Sequence, residues 1–215
     1  MSVNSKYHPL ALYNLISCLA WLFLLYNVVF VYRRVSQPEF YMKTKDITTL
    51  IQCGSIIEVF NAVFGIVRAP IFTTAAQVAS RLVLVIGIFQ LVPETPAAQE
   101  IPYVTLLFAW SLTEVVRYLF YYCNLVNKQN GPPRLLIFLR YNLFWVLYPL
   151  GVISELLIIN SSTAHAADRY GVLYKFILYF IMLTYIPMFP TLYLHVMSQR
   201  SKVMKTLKMR NQKSS

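Results

Sequence analysis

The sequence predicts an all-α polytopic membrane protein, a bundle of six transmembrane helices. Three observations lead there. Apolar residues make up 58% of the 215 and charged residues only 13%, about half the charged share of a soluble domain. Mean hydropathy is +0.55. Apolar runs of about twenty residues recur, the length a helix needs to cross a hydrocarbon core of about 30 Å. A soluble fold of this size needs more polar surface, and aromatic content of 15% excludes low-complexity disorder.

Each span follows in chain order. The first, 10–32, carries no charge. It reads as a retained helix rather than a cleavable signal: it is long, only Lys6 precedes it, and no A-x-A-like end follows. The second, 47–67, carries Glu58, and Arg68-Ala69-Pro70 stops it. The third, 73–92, carries Arg81 and ends at Pro93-Glu94-Thr95-Pro96. The fourth, 102–126, carries Glu114 and Arg117, with the KQNGPP run 128–133 after it. The fifth, 135–159, carries Arg140 near its start and Glu155 near its end, and 160–168 reads as the next loop. The sixth, 172–197, leads into a basic tail, 198–215. No internal repeat or soluble domain is visible, so the chain reads as one membrane domain.

Nineteen Lys and Arg stand against eight Asp and Glu, a net charge of +11. Six of the cations fall after residue 199: Arg200, Lys202, Lys205, Lys208, Arg210 and Lys213. A basic tail directly behind an apolar run marks the cytosolic face of a membrane protein and is a weaker sign of nucleic-acid binding. An even number of spans puts both termini on that side, with Lys6, Arg68, Lys128 and Arg134. Arg33, Arg34, Lys43 and Lys45 in the first outer loop run against this bias. The three cysteines, Cys18, Cys53 and Cys123, sit in apolar stretches with no CxxC spacing, so neither a disulfide framework nor a metal site is expected. They read as small apolar residues.

Charges inside spans are informative because each costs roughly 2.5–3.5 kcal/mol at the bilayer centre. Glu58, Arg81, Glu114, Arg117 and Glu155 must pair or line a wet cavity. Glu114 and Arg117 share a helix face at i,i+3, and Arg81 is expected to pair with Glu58. Such pairs either set helix register or form a polar chamber. On the fifth span, Tyr148 and Glu155 lie seven apart, on one face to within about 20°. A phenol and a carboxylate in a dry site are a plausible acid–base pair. Seven residues of helix rise about 10.5 Å, so a bend at Pro149, near Gly151, is expected to bring them to one substrate.

The run LRYNLFWVLYPLGVISEL, 139–156, resembles the signature of the 3-hydroxyacyl-CoA dehydratases, once called protein-tyrosine-phosphatase-like proteins, and most of all their fungal members. Leu12-Tyr13-Asn14-Leu15, Gln52-Cys53-Gly54 with Ile57-Glu58, Gln77 to Arg81, and Trp110 to Tyr118 fit the same pattern, as does the segment from His195 to Lys205. The resemblance spans nearly the whole chain. It implies a six-span enzyme of the endoplasmic reticulum that dehydrates very-long-chain (3R)-3-hydroxyacyl-CoA to trans-2-enoyl-CoA, the third step of fatty acid elongation. It implies Tyr148 and Glu155 as the catalytic pair. Buried Glu58, Gln77, Arg81, Arg117, Arg140 and Gly151 would support the site or the fold, with Glu114 in the same motif. The substrate brings coenzyme A; no cofactor or metal is implied. Partners would be the condensing enzyme and the two reductases of elongation.

Dehydration removes a C2 proton and protonates a departing C3 hydroxyl, which calls for one base and one acid. Glu155 is assigned as base and Tyr148 as acid. The reverse division, with Tyr148 activated by Arg140, stays open. The thioester oxygen gathers charge and needs a donor; Asn142, Arg140 or a backbone N–H freed by Pro149 are candidates. The coenzyme A phosphates would lie near Lys128, Arg134 and the tail cations.

Other chemistries lack their residues. A Cys-x5-Arg phosphatase nucleophile is absent, since Leu24, Val59 and Gln129 stand where the arginine is needed. Three scattered histidines, His8, His165 and His195, make no iron-binding cluster. Six glycines without nucleotide-loop spacing exclude a reductase. The alternative from another class is a non-catalytic scaffold or small transporter, in which buried Glu/Arg pairs also occur.

Overall fold

The computed structural model describes residues 8–127, 129 and 131–214, leaving aside the side chains of 8, 195 and 206–214. All its elements are helical. Helix α1 (His8–Tyr26) runs on through a π-helical turn, Asn27–Val31, and a 3-10 turn, Tyr32–Arg34. Then come α2 (Gln37–Cys53), α3 (Ile56–Val63) and α4 (Ile71–Leu82), the last extended by a π-helix, Val83–Gln90. After the 3-10 turn Pro96–Gln99 follow α5 (Ile101–Val126), α6 (Arg134–Asn142), α7 (Phe144–Tyr170) and α8 (Val172–Ser214).

Several boundaries differ from the sequence reading. The second span starts at Gln37, where Pro38 enters the first turn behind extended Ser36, and it is interrupted at Gly54-Ser55. Residues 160–168 are helical, not a loop. Ser161, Ser162 and Thr163 turn their hydroxyls onto carbonyls three residues back, so polar side chains do not end the helix. Only Gly171, with φ +85°, breaks it. The fifth span is interrupted at Leu143, whose torsions stay right-handed (φ −61°, ψ −27°), while α7 runs through Pro149. Proline removes one i→i−4 bond; here that loss does not end the helix. The tail continues α8 as helix.

Helix α5 is the centre, with α1 on one side and α7 on the other. Tyr13 and Tyr118 bring their hydroxyls to 3.3 Å, and the Cys18 thiol faces the Val115 carbonyl, so α1 and α5 are antiparallel. Along α1, Ala11, Asn14, Cys18, Trp21, Leu24 and Val28 are buried, a repeat of three and four that faces α5. Leu12, Ile16, Leu19, Phe23 and Phe30 are exposed. An apolar outer stripe of this kind suits lipid, not water.

Among the described residues, four stretches are long and apolar enough to cross a bilayer: Pro9–Arg34, Ile71–Gln90, Phe144–Tyr170 and Val172–Lys205. The other two expected spans are more polar. Helix α2 carries Lys43, Lys45 and Asp46. Helix α5 carries Glu114, Arg117 and four tyrosines, tolerable because its neighbours shield it; Tyr103, Glu114 and Tyr118 are all buried.

Hydrogen bonds mark the two ends of the bundle. At one end, Gln37 donates to the Glu100 carbonyl (2.7 Å), Arg169 to Glu94 (3.0 Å) and Tyr170 to the Leu91 carbonyl (3.1 Å). Below it, Tyr41, Phe89 and Tyr103 pack edge to face, with ring centres 5.0–5.8 Å apart. The wide π-helix 83–90 leaves carbonyls for side chains: Gly87 accepts from Tyr174 (2.8 Å) and Phe89 from Tyr41 (3.3 Å). At the opposite end, Tyr13 donates to the Gly54 carbonyl (3.2 Å), Arg140 to Tyr121 (3.0 Å) and Arg200 to Asn142.

Candidate active site

Glu155 lies on the buried face of α7, with 8% of its surface exposed. Both its oxygens accept hydrogen bonds. The Trp110 indole N–H from α5 donates to Oε1 at 2.9 Å, and the Tyr185 hydroxyl from α8 donates to Oε2 at 2.7 Å. No cation touches the carboxylate among the described ion pairs. Two donors from two helices hold it in one orientation, which is what a positioned base requires. Next to it, Ser154 and Thr105 bring their hydroxyls to 2.8 Å and tie α7 to α5.

Tyr148 is half-buried and lies two turns before Glu155. Its ring stacks on Phe189 of α8 (centres 5.1 Å apart, planes at 4°) and on Tyr193 (6.1 Å, 22°). Helix α7 runs on through Pro149. Helix α8 spans the gap, with Tyr185 on Glu155 and Phe189, one turn on, against Tyr148. Glu155 and Arg81 both act electrostatically on the Tyr148 phenol.

Behind Glu155 lies an ion network whose pairing departs from expectation. Arg81 is bonded to Glu114, not to Glu58. Arg117 grips Glu58 through both terminal nitrogens (2.7 and 2.6 Å) and reaches Glu114 with Nε (2.6 Å). The expected i,i+3 pair is therefore present, and Glu58 also accepts from the Tyr118 hydroxyl. The two carboxylates and two guanidiniums cancel, which makes burial tolerable. Arg81 also lies over the Trp110 ring, 5.1 Å from its centre. One indole thus connects the ion network to Glu155.

Other expected site residues fall elsewhere. Arg140 donates to Tyr121 and lies over Phe120 and Tyr121 (4.5 and 4.6 Å). Among the described contacts, none joins Arg140 to Tyr148. The Asn142 amide gives one N–H to the Phe138 carbonyl (2.7 Å), and its oxygen accepts from Arg200. Pro149 frees the Trp145 carbonyl, an acceptor, rather than an N–H. Gln77 is exposed on α4, not buried. Gly151 is buried where α7 meets α5; a Cβ there would lie 3.9 Å from the Ala109 Cβ. Arg68 and Arg134 are exposed. Lys6, Lys128 and the side chains of Lys208, Arg210 and Lys213 lie outside the described residues. A cavity of about 310 Å³ between α5 and the end of α1, lined by Val28, Tyr32, Arg33, Thr105 and Phe108, includes neither Tyr148 nor Glu155. The described cysteines are free thiols.

Sequence reasoning missed Trp110, Tyr185, Phe189 and Tyr193. A signal existed. Trp110, Glu114, Arg117 and Tyr121 form a stripe at helical spacing on α5, and Tyr185, Phe189 and Tyr193 form one on α8.

Comparison with known proteins places these residues. The family model described as "Protein tyrosine phosphatase-like protein, PTPLA" matches residues 52–206. The chain belongs to this protein tyrosine phosphatase-like family. Three relatives span most of it. "Very-long-chain (3R)-3-hydroxyacyl-CoA dehydratase hpo-8" of Caenorhabditis elegans is 35% identical, covering 91% of this chain and 94% of the relative. "Probable very-long-chain (3R)-3-hydroxyacyl-CoA dehydratase" of Schizosaccharomyces pombe is 36% identical, covering 95% and 97%. "Very-long-chain (3R)-3-hydroxyacyl-CoA dehydratase 2" of Homo sapiens is 32% identical, covering 91% and 80%. No solved structure matches. The match to the PTPLA model includes Glu58, Arg81, Trp110, Glu114, Arg117, Tyr148, Glu155 and Tyr185. Despite its name, this member has no arginine six residues after any cysteine.

Proposed function

We propose that this protein dehydrates very-long-chain (3R)-3-hydroxyacyl-CoA to trans-2-enoyl-CoA, with Glu155 and Tyr148 as base and acid. The observation that carries the reading is the carboxylate of Glu155. It is buried, without an ion pair among the described residues, and held by two neutral donors, in a chain whose relatives are named for this reaction. Glu155 takes the C2 proton as the C2–H bond breaks. The C3–O bond breaks as Tyr148 gives its proton to the hydroxyl, and water leaves. The proton on Glu155 then returns to the Tyr148 phenolate, so the enzyme ends as it began. Arg81 stabilises that phenolate by its charge. Neither electrons nor a hydride move, so the step needs no redox cofactor.

The acyl chain lies among the helices, and the pairing of helix ends supports a reading of six crossings. Helix α1, α2 with α3, α4, α5, α6 with α7, and α8 alternate in direction. Arg134, Arg140, Arg200 and the tail then share one end with the N-terminus, the cytosolic side by charge. The endoplasmic reticulum membrane, with the condensing enzyme and the two reductases of elongation as partners, is the setting this reaction calls for.

The test is turnover of a long-chain (3R)-3-hydroxyacyl-CoA by purified protein in detergent. Wild type forms the enoyl product, while Tyr148→Phe and Glu155→Gln elute as folded protein and lose at least a hundredfold in kcat. A folded but inactive wild type would sink the reading; equal turnover by all three would move the chemistry elsewhere.

A further inference from the structure

An aromatic path leads from Tyr148 to a guanidinium. Tyr148 packs against both Phe189 and Tyr193. The Tyr193 ring is 6.2 Å from the Trp145 ring, and the Arg200 guanidinium lies over Trp145, 5.7 Å from its centre. Arg200 donates through Nε (3.0 Å) and Nη2 (2.9 Å) to one oxygen of Asn142. Asn142 is neutral, and no described ion pair gives Arg200 a carboxylate. Arg81, Arg117 and Arg169 each have one. Arg200 is therefore held in place with its full charge uncompensated, and Nη1 makes neither of the Asn142 bonds.

We propose that Arg200, oriented by Asn142, binds the phosphates of the coenzyme A thioester, and that the Phe189–Tyr193–Trp145 wall guides the pantetheine arm to Tyr148. The assignment rests on the dehydratase reading and adds the residue that recognises the substrate's nucleotide end. The lengths agree. Tyr148 meets α8 midway between residues 189 and 193, about nine residues before Arg200, a rise of about 13 Å. Pantetheine places about thirteen bonds between the thioester sulfur and the first phosphorus, some four residue-lengths of extended chain, or roughly 14 Å. Residues 193 and 200 are seven apart and share a face of α8. A guanidinium suits the ligand because its planar donors match phosphate oxygens. It lies at the end of the bundle where Arg140 and exposed Arg134 also lie.

The experiment compares two substrates that carry the same long 3-hydroxyacyl group, one on coenzyme A and one on pantetheine, which lacks the phosphates. Arg200→Met keeps the stem and removes the charge; Asn142→Ala releases the guanidinium. The expected result for Arg200→Met is a tenfold or larger rise in KM for the coenzyme A thioester and less than a twofold change for the pantetheine thioester. Asn142→Ala shows the same pattern more weakly. Arg169→Met, at the far end of the bundle, alters neither. Equal losses on both substrates would show Arg200 to be structural or a lipid-headgroup anchor, and unchanged KM on both would remove it from recognition. Equilibrium dialysis of free coenzyme A against wild type and Arg200→Met separates this site from the reaction. Charge-dependent binding by a protein that fails to dehydrate would sink the dehydratase reading and leave the phosphate site standing.

Discussion

The Tyr185 hydroxyl donates to Oε2 of Glu155 at 2.7 Å, joining residues that lie thirty apart on neighbouring helices. With Trp110 on the other oxygen, it leaves the carboxylate little freedom to rotate. Positioning of this kind acts on the transition state more than on substrate binding.

Tyr185→Phe keeps the ring and removes this bond. A hydrogen bond to a charged group is worth about 1.5–3 kcal/mol, so kcat is expected to fall ten- to a hundredfold with KM within twofold. Trp110→Phe behaves alike. Tyr174→Phe is the matched control, since it also loses one phenol bond on α8, 2.8 Å to the Gly87 carbonyl. Steady-state kinetics decide: an equal fall in kcat for Tyr174→Phe would make the effect structural.

Glu114 neutralises two arginines at once and is only 2% exposed. Replacing it with Gln leaves Arg81 and Arg117 undercompensated, and breaking a buried pair costs about 3–5 kcal/mol. Thermal unfolding in detergent is expected to show a lowered midpoint. The double replacement Arg81→Met with Glu114→Gln, which keeps the network's charge balanced, is expected to recover part of it.

Two glycines should respond in opposite ways. At Gly87 a Cβ would come within 3.0 Å of the Tyr174 hydroxyl, so Gly87→Ala must displace that hydroxyl and lower the unfolding midpoint. At Gly151 the nearest atom is the Ala109 Cβ at 3.9 Å, an ordinary contact. Gly151→Ala should fold at least as stably as wild type, since alanine favours helix by about 1 kcal/mol. Gly151→Leu should overpack the α5–α7 contact at a cost of about 1–3 kcal/mol.

The Arg169–Glu94 pair is half exposed on both sides (50% and 58%). Exposed pairs contribute about 0–1 kcal/mol, so Arg169→Met should leave the unfolding midpoint within a degree or two. A large drop would mean that the α7 end is held by this pair and not by the Tyr170 bond to the Leu91 carbonyl.

Residues on a single helix could be related from spacing. Tyr148 and Glu155, like Glu114 and Arg117, were legible because the helical period sets which side chains share a face. The partner of Arg81 was not. The sequence reading paired Arg81 with Glu58, whereas the bundle places α4 so that Arg81 meets Glu114 and leaves Glu58 to Arg117 and Tyr118. Gln77, read as buried from the family resemblance, is turned outward by α4. Trp110 and Tyr185 carried no charge to mark them. An aromatic residue in a membrane helix is ordinary core or lipid-facing surface until its N–H or O–H is seen to meet a carboxylate.

Composition and periodicity alone determined that the chain is helical, suited to a bilayer, and obliged to find partners for its internal charges. Those properties follow from local transfer energies and from the 3.6-residue period, which act along one segment at a time. Only the tertiary structure decided which partners those charges take, that α8 packs against both Tyr148 and Glu155, and that Arg200 ends the aromatic path. Helix neighbours are chosen by packing between segments far apart in the chain, and no local pattern encodes that choice.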